Sequence, residues 1–474
     1  MFLRKAKIIA TVGPASASKS VLKAMVQAGV DVFRLNFSHG NTVFYDKIID
    51  NIKEINKELH KHTAILADLQ GQKIRVGKIK EETFLEKNKL IKITEKTIIG
   101  DSNKIQIQYK NLIKILNKGK KISIDDGKIV LKIESKSLKQ NEITCRVING
   151  GELKTNKGVN FEDETKNKGA LSFKDKKDLK YILSKQIEWI ALSFVSNKQD
   201  VLDLRKILEK NKSKTCIISK IENNKAVERI EEIVDVSDAI MVARGDLGIE
   251  LPLHKIPLIQ KNIVKISNKH SKPVVIATHM LESMVEKLNP TRAEANDVAN
   301  SVLDGADALM LSAETASGKN PTESVRIMRK IIKDVETGSP VNPLKFNIQK
   351  DIERSVTDSI CHHSCLLAEQ VSAEAIITMT HSGYSAFKIS SSRPPCMVYA
   401  FTENHFILNT LNLVWGVRGF YYKKTRSTDE TIEDTQKILK EKTLIKKQDY
   451  VINVASMPLK KKGMTNMVKL SKVK

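Results

Sequence analysis

Residues 215–250, TCIISKIENNKAVERIEEIVDVSDAIMVARGDLGIE, decide how this chain is read. The first run, CIISKIE from Cys216, is rich in β-branched residues and carries Lys220 and Glu222 two positions apart. On a strand, residues i and i+2 project from the same face, which puts an ammonium and a carboxylate into one site. A helical pattern follows over Asn224 to Val234, and a second apolar run, AIMVARGD, closes on Gly245 and Asp246. Strand, helix, strand is the βαβ unit of a parallel sheet. Both polar clusters stand at the carboxyl ends of their strands, where α/β folds and barrels assemble their chemistry. Glu222 and Asp246 are therefore candidates to share a hard cation, with Lys220 beside it. A surface ion pair and a capping aspartate would explain these residues singly; their placement on adjacent strands favours a site.

Six further runs repeat the pattern of CIISKIE and AIMVARG: KIIATVG from Lys7, VFRLNFS from Val32, AILADL from Ala64, WIALSFV from Trp189, PVVIATH from Pro273 and ALMLSAE from Ala308. Amphipathic segments such as SVLKAMVQAG at Ser20 and PLIQKNIVKISNKH at Pro257 separate most of them. Eight strand–helix units predict a (β/α)8 barrel, a fold of about 250 residues. The count works once the long gap between Leu69 and Trp189 is set aside. Within it, KNKLIKITEK, NKIQIQYK, KKISIDDGKIVLKIES and NEITCRVINGG alternate polar and apolar residues at period two, broken by turns at Asp125-Asp126-Gly127 and Asn149-Gly150-Gly151. This predicts an all-β insertion at residues 77–168, placed to act as a lid over a barrel spanning 1–76 and 169–340. Past Gly338-Ser339-Pro340, the runs AIITMT, PCMVYAF, GFYY and YVINVAS alternate with helical segments, predicting a C-terminal α/β domain over 341–474 with a mostly parallel, three-layer sheet.

A formal charge of +25 invites a nucleic-acid reading, but the lysines are scattered among Ile and Asn and aromatic residues make up only 5%. Base stacking has little material here, so the charge reads as solvated surface that favours anionic metabolites. No apolar run has the length a bilayer needs, and MFLRKAKIIATVGPAS has too short an apolar core for a signal peptide, so a cytoplasmic location is expected. Five dispersed cysteines, Cys145, Cys216, Cys361, Cys365 and Cys396, suit a reducing compartment. The CHHSC cluster at 361–365 has poor zinc spacing and lies in an amphipathic helix, so core packing is the expectation.

Other strand ends add polar side chains: Arg34, Asn36, Ser38 and His39 from the second, Asp68 with Lys73 and Arg75 from the third, Ser193 from the fourth, Thr278 from the seventh, and Ser312 and Glu314 from the eighth. Two arginines, two lysines and several hydroxyls around two carboxylates describe a site for a phosphorylated anion and a divalent metal, with Mg2+ favoured for its few-carboxylate shells. The N–H groups opening the helix at Gly245 and Asp246 suit a substrate carboxylate. With no Cys/His ligand set, nucleophile elbow or Walker A loop, the expected chemistry is electrostatic positioning, as in phosphoryl transfer. In the C-terminal domain, TMTHSGYSA places Thr380, Ser382, Gly383 and Ser385 between a strand and a helix, an arrangement that favours phosphate.

The segments KIIATVGPAS, RLNFSHG, DLQGQKIRVG, SKIEN, MVARGDLGIE, ATHMLESM, PTRAEANDVAN and GADALMLSAETASGKNP, in that order, resemble the pyruvate kinase family across barrel, insertion and C-terminal domain. The resemblance implies transfer of the phosphoryl group of phosphoenolpyruvate to ADP, giving pyruvate and ATP. By position it implies Lys220 as the stabiliser of the phosphoryl group in flight and Glu222 and Asp246 as ligands of Mg2+, with Mn2+ as an alternative ion. Arg34 and Arg75 match residues facing the phosphates, and Thr278 the hydroxyl near the substrate carboxylate and methylene carbon. Thr278, Ser312 and water remain alternative proton donors to the enolate. Asn36, His39 and Lys157 match nucleotide-side positions. A monovalent cation would sit at Asn36, Ser38, Asp68 and the Leu69 carbonyl, but Leu69, Gln70, Lys73 and Val76 resemble the K+-independent branch, where the Lys73 ammonium takes the cation's place. Gln72, Ala313 and His279 depart from the usual Pro, Gly and Gln. The resemblance further implies a homotetramer and a phosphorylated effector at Thr380 to Ser385, although the tail ASMPLKKKGMTNMVKL lacks the Trp and Arg elements associated with fructose 1,6-bisphosphate. The rival readings are an Mg2+-dependent phosphoenolpyruvate lyase on the same barrel and a basic nucleic-acid-binding protein without catalysis.

Overall fold

A computed structural model describes residues 4–38, 40–72, 74–109, 111–125, 127–161, 169–338, 354–423, 427–457 and 464–474. Eight parallel strands close into a barrel: β1 (Lys7–Thr11), β2 (Val32–Asn36), β3 (Ala64–Asp68), β4 (Trp189–Leu192), β5 (Cys216–Ile221), β6 (Ala239–Ala243), β7 (Val274–Ala277) and β8 (Ala308–Leu311). They pair in chain order, with β8 returning to β1. Such strands are covered on both faces, which is why they read as unbroken apolar runs. Ile9, Val32, Leu66, Trp189, Ile218, Met241, Val275 and Met310 fill the barrel interior. The opposite faces of the same strands meet the surrounding helices in a larger core that includes Ile8, Phe33, Ile190, Ile217, Ile240 and Leu309.

The insertion carries a six-stranded sheet whose core is almost wholly Ile, Leu and Val, as its alternating pattern requires. It is not purely β: Leu112–Ile115 forms a helical turn. Another difference lies after β5, where the helix expected over Asn224 to Val234 is split at Arg229 into Asn224–Glu228 and Ile230–Val236. Arg229 has φ −109° and ψ 24°, outside helical values, and an i→i−4 pattern in the sequence does not register one such residue.

The C-terminal sheet runs in the order β11 (Val417–Tyr421), β10 (Met397–Thr402), β9 (Ala375–Met379), β12 (Tyr450–Ala455), β13 (Met467–Lys472). The first four are parallel; β13 adds antiparallel to β12. This edge strand was not among the four expected, because MVKLSK is largely exposed and lacks an apolar run. Apolar clusters on both faces give three layers. Cys361 and Cys365 are buried in one of them, and all five cysteines are free. Leu413 and Phe387 reach from this domain into the floor of the barrel interior. No helix among the described residues is long and apolar enough to cross a membrane.

Candidate active site

The carboxyl ends of β2 to β5 bring four charged side chains into one connected cluster. Asp68 ends β3 and lies in register with Asn36 on β2 and Ala191 on β4. Its Oδ2 accepts from Arg34 Nε at 2.7 Å, and Arg34 Nη2 stands 2.6 Å away. Lys220 Nζ lies 3.3 Å from Asp68 Oδ1 and 2.8 Å from Glu222 Oε1. It donates to Ser193 Oγ at 2.8 Å, and Ser193 donates onward to the Leu69 carbonyl at 2.7 Å. The second Glu222 oxygen accepts from Phe194 N at 2.6 Å.

Asp68, Ser193 and Glu222 are all buried, so the charges act in a low-dielectric setting where each interaction counts for more than in water. Burial opposes the charge on Lys220, but Asp68 and then Glu222 outweigh it and hold the ammonium above its ordinary pKa. Burial likewise opposes the Asp68 carboxylate, and Lys220 and Arg34 overcome it. Glu222 shows the other outcome: burial raises its pKa, Lys220 offsets only part, and Asp246 raises it further. Glu222 is thus a carboxylate short of positive charge, with a second carboxylate beside it. That is the electrostatic signature of a place that gains from a divalent cation.

Next to β5, β6 leads into the helix Arg244–Glu250. Gly245 N donates to Thr278 Oγ1 at 2.8 Å, joining the end of β6 to that of β7. Thr278 has φ +70° and His279 +54°. Left-handed backbone at a β-branched residue costs about 1–2 kcal/mol and persists only where surroundings enforce it. Arg244 Nη2 donates to the Thr278 carbonyl at 2.7 Å while Nη1 pairs with Asp297 at 2.7 Å. After β8, the fully buried Glu314 accepts from Ser312 N at 2.7 Å and Leu281 N at 3.1 Å. Burial raises its pKa, the backbone donors offsetting part of the shift.

The remaining expected residues divide. Asn36 Oδ1 accepts from Ser38 N at 3.1 Å, holding that turn at the end of β2. Arg75 Nη1 donates to the Asn156 carbonyl at 2.8 Å, and Arg75 bridges to Gly158, so it lies where the insertion joins the barrel. Lys157 pairs with Asp125 at 2.8 Å inside the insertion. His39 and Lys73 lie outside the described residues. In the C-terminal loop, Thr380 Oγ1 accepts from Gly383 N at 2.9 Å, and Gly383 has φ +88°. Ser385 points elsewhere: it is buried against Thr378 Oγ1 at 2.9 Å.

Sequence reasoning missed Lys174. The helix Phe173–Ser184 begins where the insertion returns to the barrel, and Lys174 Nζ donates to the Phe37 carbonyl, between Asn36 and Ser38. It was one lysine among many in FKDKKDLK; only the capping box of Ser172 and Asp175, which fixes the helix start, hinted at its direction. Arg244 was not singled out and Glu314 stood only as a strand-end carboxylate, since the groups they bond, Asp297 and the Thr278 carbonyl for one and the Leu281 N–H for the other, lie on other elements.

Among the described residues, no three or more His, Cys, Asp or Glu side chains converge on a metal position. Glu222 and Asp246 as a pair fit Mg2+, which binds through one or two carboxylates and completes its shell with waters and substrate oxygens.

Comparison with known proteins agrees along the whole chain. The family "Pyruvate kinase, barrel domain" matches residues 3–325, and "Pyruvate kinase, alpha/beta domain" matches 358–471. A pyruvate kinase of Staphylococcus saprophyticus is 38% identical over 470 residues, covering 99% of this chain and 80% of its own length. Pyruvate kinase 2 of Synechocystis is 37% identical over 474 residues. A crystal structure of a pyruvate kinase from Cryptosporidium parvum superimposes with a TM-score of 0.91 at 32% identity, covering 99% of this chain and 96% of that one. Barrel, charged cluster and similarity converge: the chain belongs to the pyruvate kinase family.

Proposed function

We propose that this protein transfers the phosphoryl group of phosphoenolpyruvate to ADP, yielding pyruvate and ATP. The observation that carries the proposal is the Lys220 ammonium, held charged among Asp68, Glu222 and Ser193. Lys220 and Arg34 bind the transferring phosphoryl group and stabilise the charge it carries between donor and acceptor. Glu222 and Asp246 would hold Mg2+, which would supply positive charge to neutralise the anionic substrates. The Asp246 N–H, at the start of its helix, orients the substrate carboxylate; the Gly245 N–H, expected to share that task, is given instead to Thr278 Oγ1. Thr278 and Ser312 face the enolate, whose carbon takes a proton from one of them or from water. Asn36, His39, Arg75 and Lys157 serve the nucleotide, and we add Lys174, whose ammonium already sits against the β2 turn. The insertion closes over both substrates and excludes water, which would otherwise hydrolyse the phosphoryl group.

Turnover is expected to be K+-independent. The Leu69 carbonyl, a candidate ligand for a monovalent cation, is engaged by Ser193, and Asp68 is neutralised by Arg34 and Lys220. Lys73 supplies the further internal charge. A homotetramer and a phosphorylated effector at Thr380, Ser382 and Gly383 complete the reading, with Ser385 as a support from below. Lys220→Ala should lower kcat by roughly 10³-fold, the scale of transition-state cations in phosphoryl transfer. A variant within tenfold of the wild type would remove Lys220 from that role.

A further inference from the structure

The four residues after β7 include two at positive φ, and they are gripped from both ends by buried or nearly buried charges. At one end, the Arg244 guanidinium donates to the Thr278 carbonyl at 2.7 Å, and Asp297 holds the same guanidinium at 2.7 Å. At the other, Glu314 accepts from Leu281 N at 3.1 Å. Thr278 and His279, both at positive φ, lie between these two anchors. The other Glu314 oxygen accepts from Ser312 N at 2.7 Å, so one carboxylate fixes the loops that bear both hydroxyls of the enolate side. Its own helix, Ala313–Ala316, is fastened to β1 by Thr315 Oγ1 donating to the Thr11 carbonyl at 2.9 Å. Thr11 Oγ1 in turn accepts from Arg34 at 2.9 Å and donates to the Leu311 carbonyl at 2.9 Å.

We infer that Glu314 is a positioning residue for the proton-transfer half of the reaction, with Arg244 as its counterpart across the strained loop. The inference rests on the proposed function. Glu314 is wholly inaccessible, so it meets no substrate; it acts by setting where Thr278 and Ser312 stand. A neutral amide in its place keeps the volume, but only its carbonyl oxygen can accept. Its –NH2 would face a backbone N–H, and one loop would be released. Misplacement by about 1 Å can cost on the order of 10²-fold in rate without loss of ground-state binding.

The test uses the full chain with Glu314→Gln, reading kcat, KM for phosphoenolpyruvate and the exchange of pyruvate methyl protons in D2O. In that exchange a methyl C–H bond breaks to give the enolate, and a deuteron returns to the same carbon. We expect kcat to fall about 10- to 100-fold, KM to hold within threefold, and methyl exchange to fall at least as far as kcat. Ile332→Ala, a core change in the helix Pro321–Gly338, gauges general destabilisation and should leave the three readings near wild type. Should Glu314→Gln not fold, Glu314→Asp, which keeps the charge but is too short to span both N–H groups, gives the same readings. A kcat within threefold of wild type, a loss confined to KM, or an equal loss in Ile332→Ala would overturn the role. Neither turnover nor exchange in the wild type would sink the functional reading itself, a separate result.

Discussion

Asp68 is the residue on which the charge balance turns. Among the described residues it alone touches both cations of the phosphoryl side, Arg34 and Lys220, and it is buried. Removing one partner of a buried ion network typically costs about 3–5 kcal/mol because the remaining charge stays desolvated. Here two cations would be left facing each other. Asp68→Ala should therefore lose stability of about that size, read as a shift in the urea midpoint, as well as activity. A midpoint unchanged from wild type would mean that solvent or Glu222 already balances both cations. Lys220 and Glu222 were legible in the sequence because their spacing on a strand is itself geometry. Asp68 was placed at a strand end, but its ion pair with Lys220 crosses from β3 over β4 to β5, a relation that needs the order and curvature of the sheet. Lys174 was opaque and Glu314 stood only as a strand-end carboxylate, because the Phe37 carbonyl and the Leu281 N–H they bond lie on distant elements.

At the level of elements, the eight barrel strands fall where their apolar runs stand, since a strand buried on both faces leaves an uninterrupted signature. What escaped were the elements set by exposure or by a single dihedral: the edge strand β13 and the break at Arg229. The loop before β3 gives a pH prediction. His62 lies 6.4 Å from His405 of the C-terminal domain, which stacks on Tyr421 at 4.4 Å. Burial, then His405, Lys61 and Arg418, lowers the His62 pKa from 6.5 to about 4. Protonation therefore favours the unfolded chain: the contribution is complete above about pH 6.5 and is lost as pH falls toward 4. Because His62 keeps part of its surface in water, the effect should be about 1 kcal/mol, well below the full linkage value. Urea midpoints at pH 7.5 and pH 5 should fall further for wild type than for His62→Gln. Equal falls would contradict the assignment.

Across the whole molecule, the C-terminal domain is bound to the barrel floor by polar contacts as well as by Leu413. Arg393, buried almost completely, pairs with Asp307 at 2.9 Å and donates to the Gly305 carbonyl at 2.7 Å. Lys7 Nζ donates to the Val417 carbonyl at 2.7 Å, its pKa pushed down to about 8 by burial. Glu188 on the barrel accepts from Asn409 at 2.7 Å. These contacts fall at the amino-terminal ends of β1, β8 and β4, the end of the barrel opposite the charged cluster. The net charge of +25 fits a protein whose proposed substrates are both anions. The central claim is met most directly by following pyruvate formation from phosphoenolpyruvate, with ADP present or omitted, Mg2+ present or chelated, and K+ exchanged for tetramethylammonium. The account predicts turnover that requires ADP and Mg2+ and survives the exchange. Pyruvate formed without ADP would mark a lyase, and loss of turnover without K+ would contradict the internal-charge reading of Lys73.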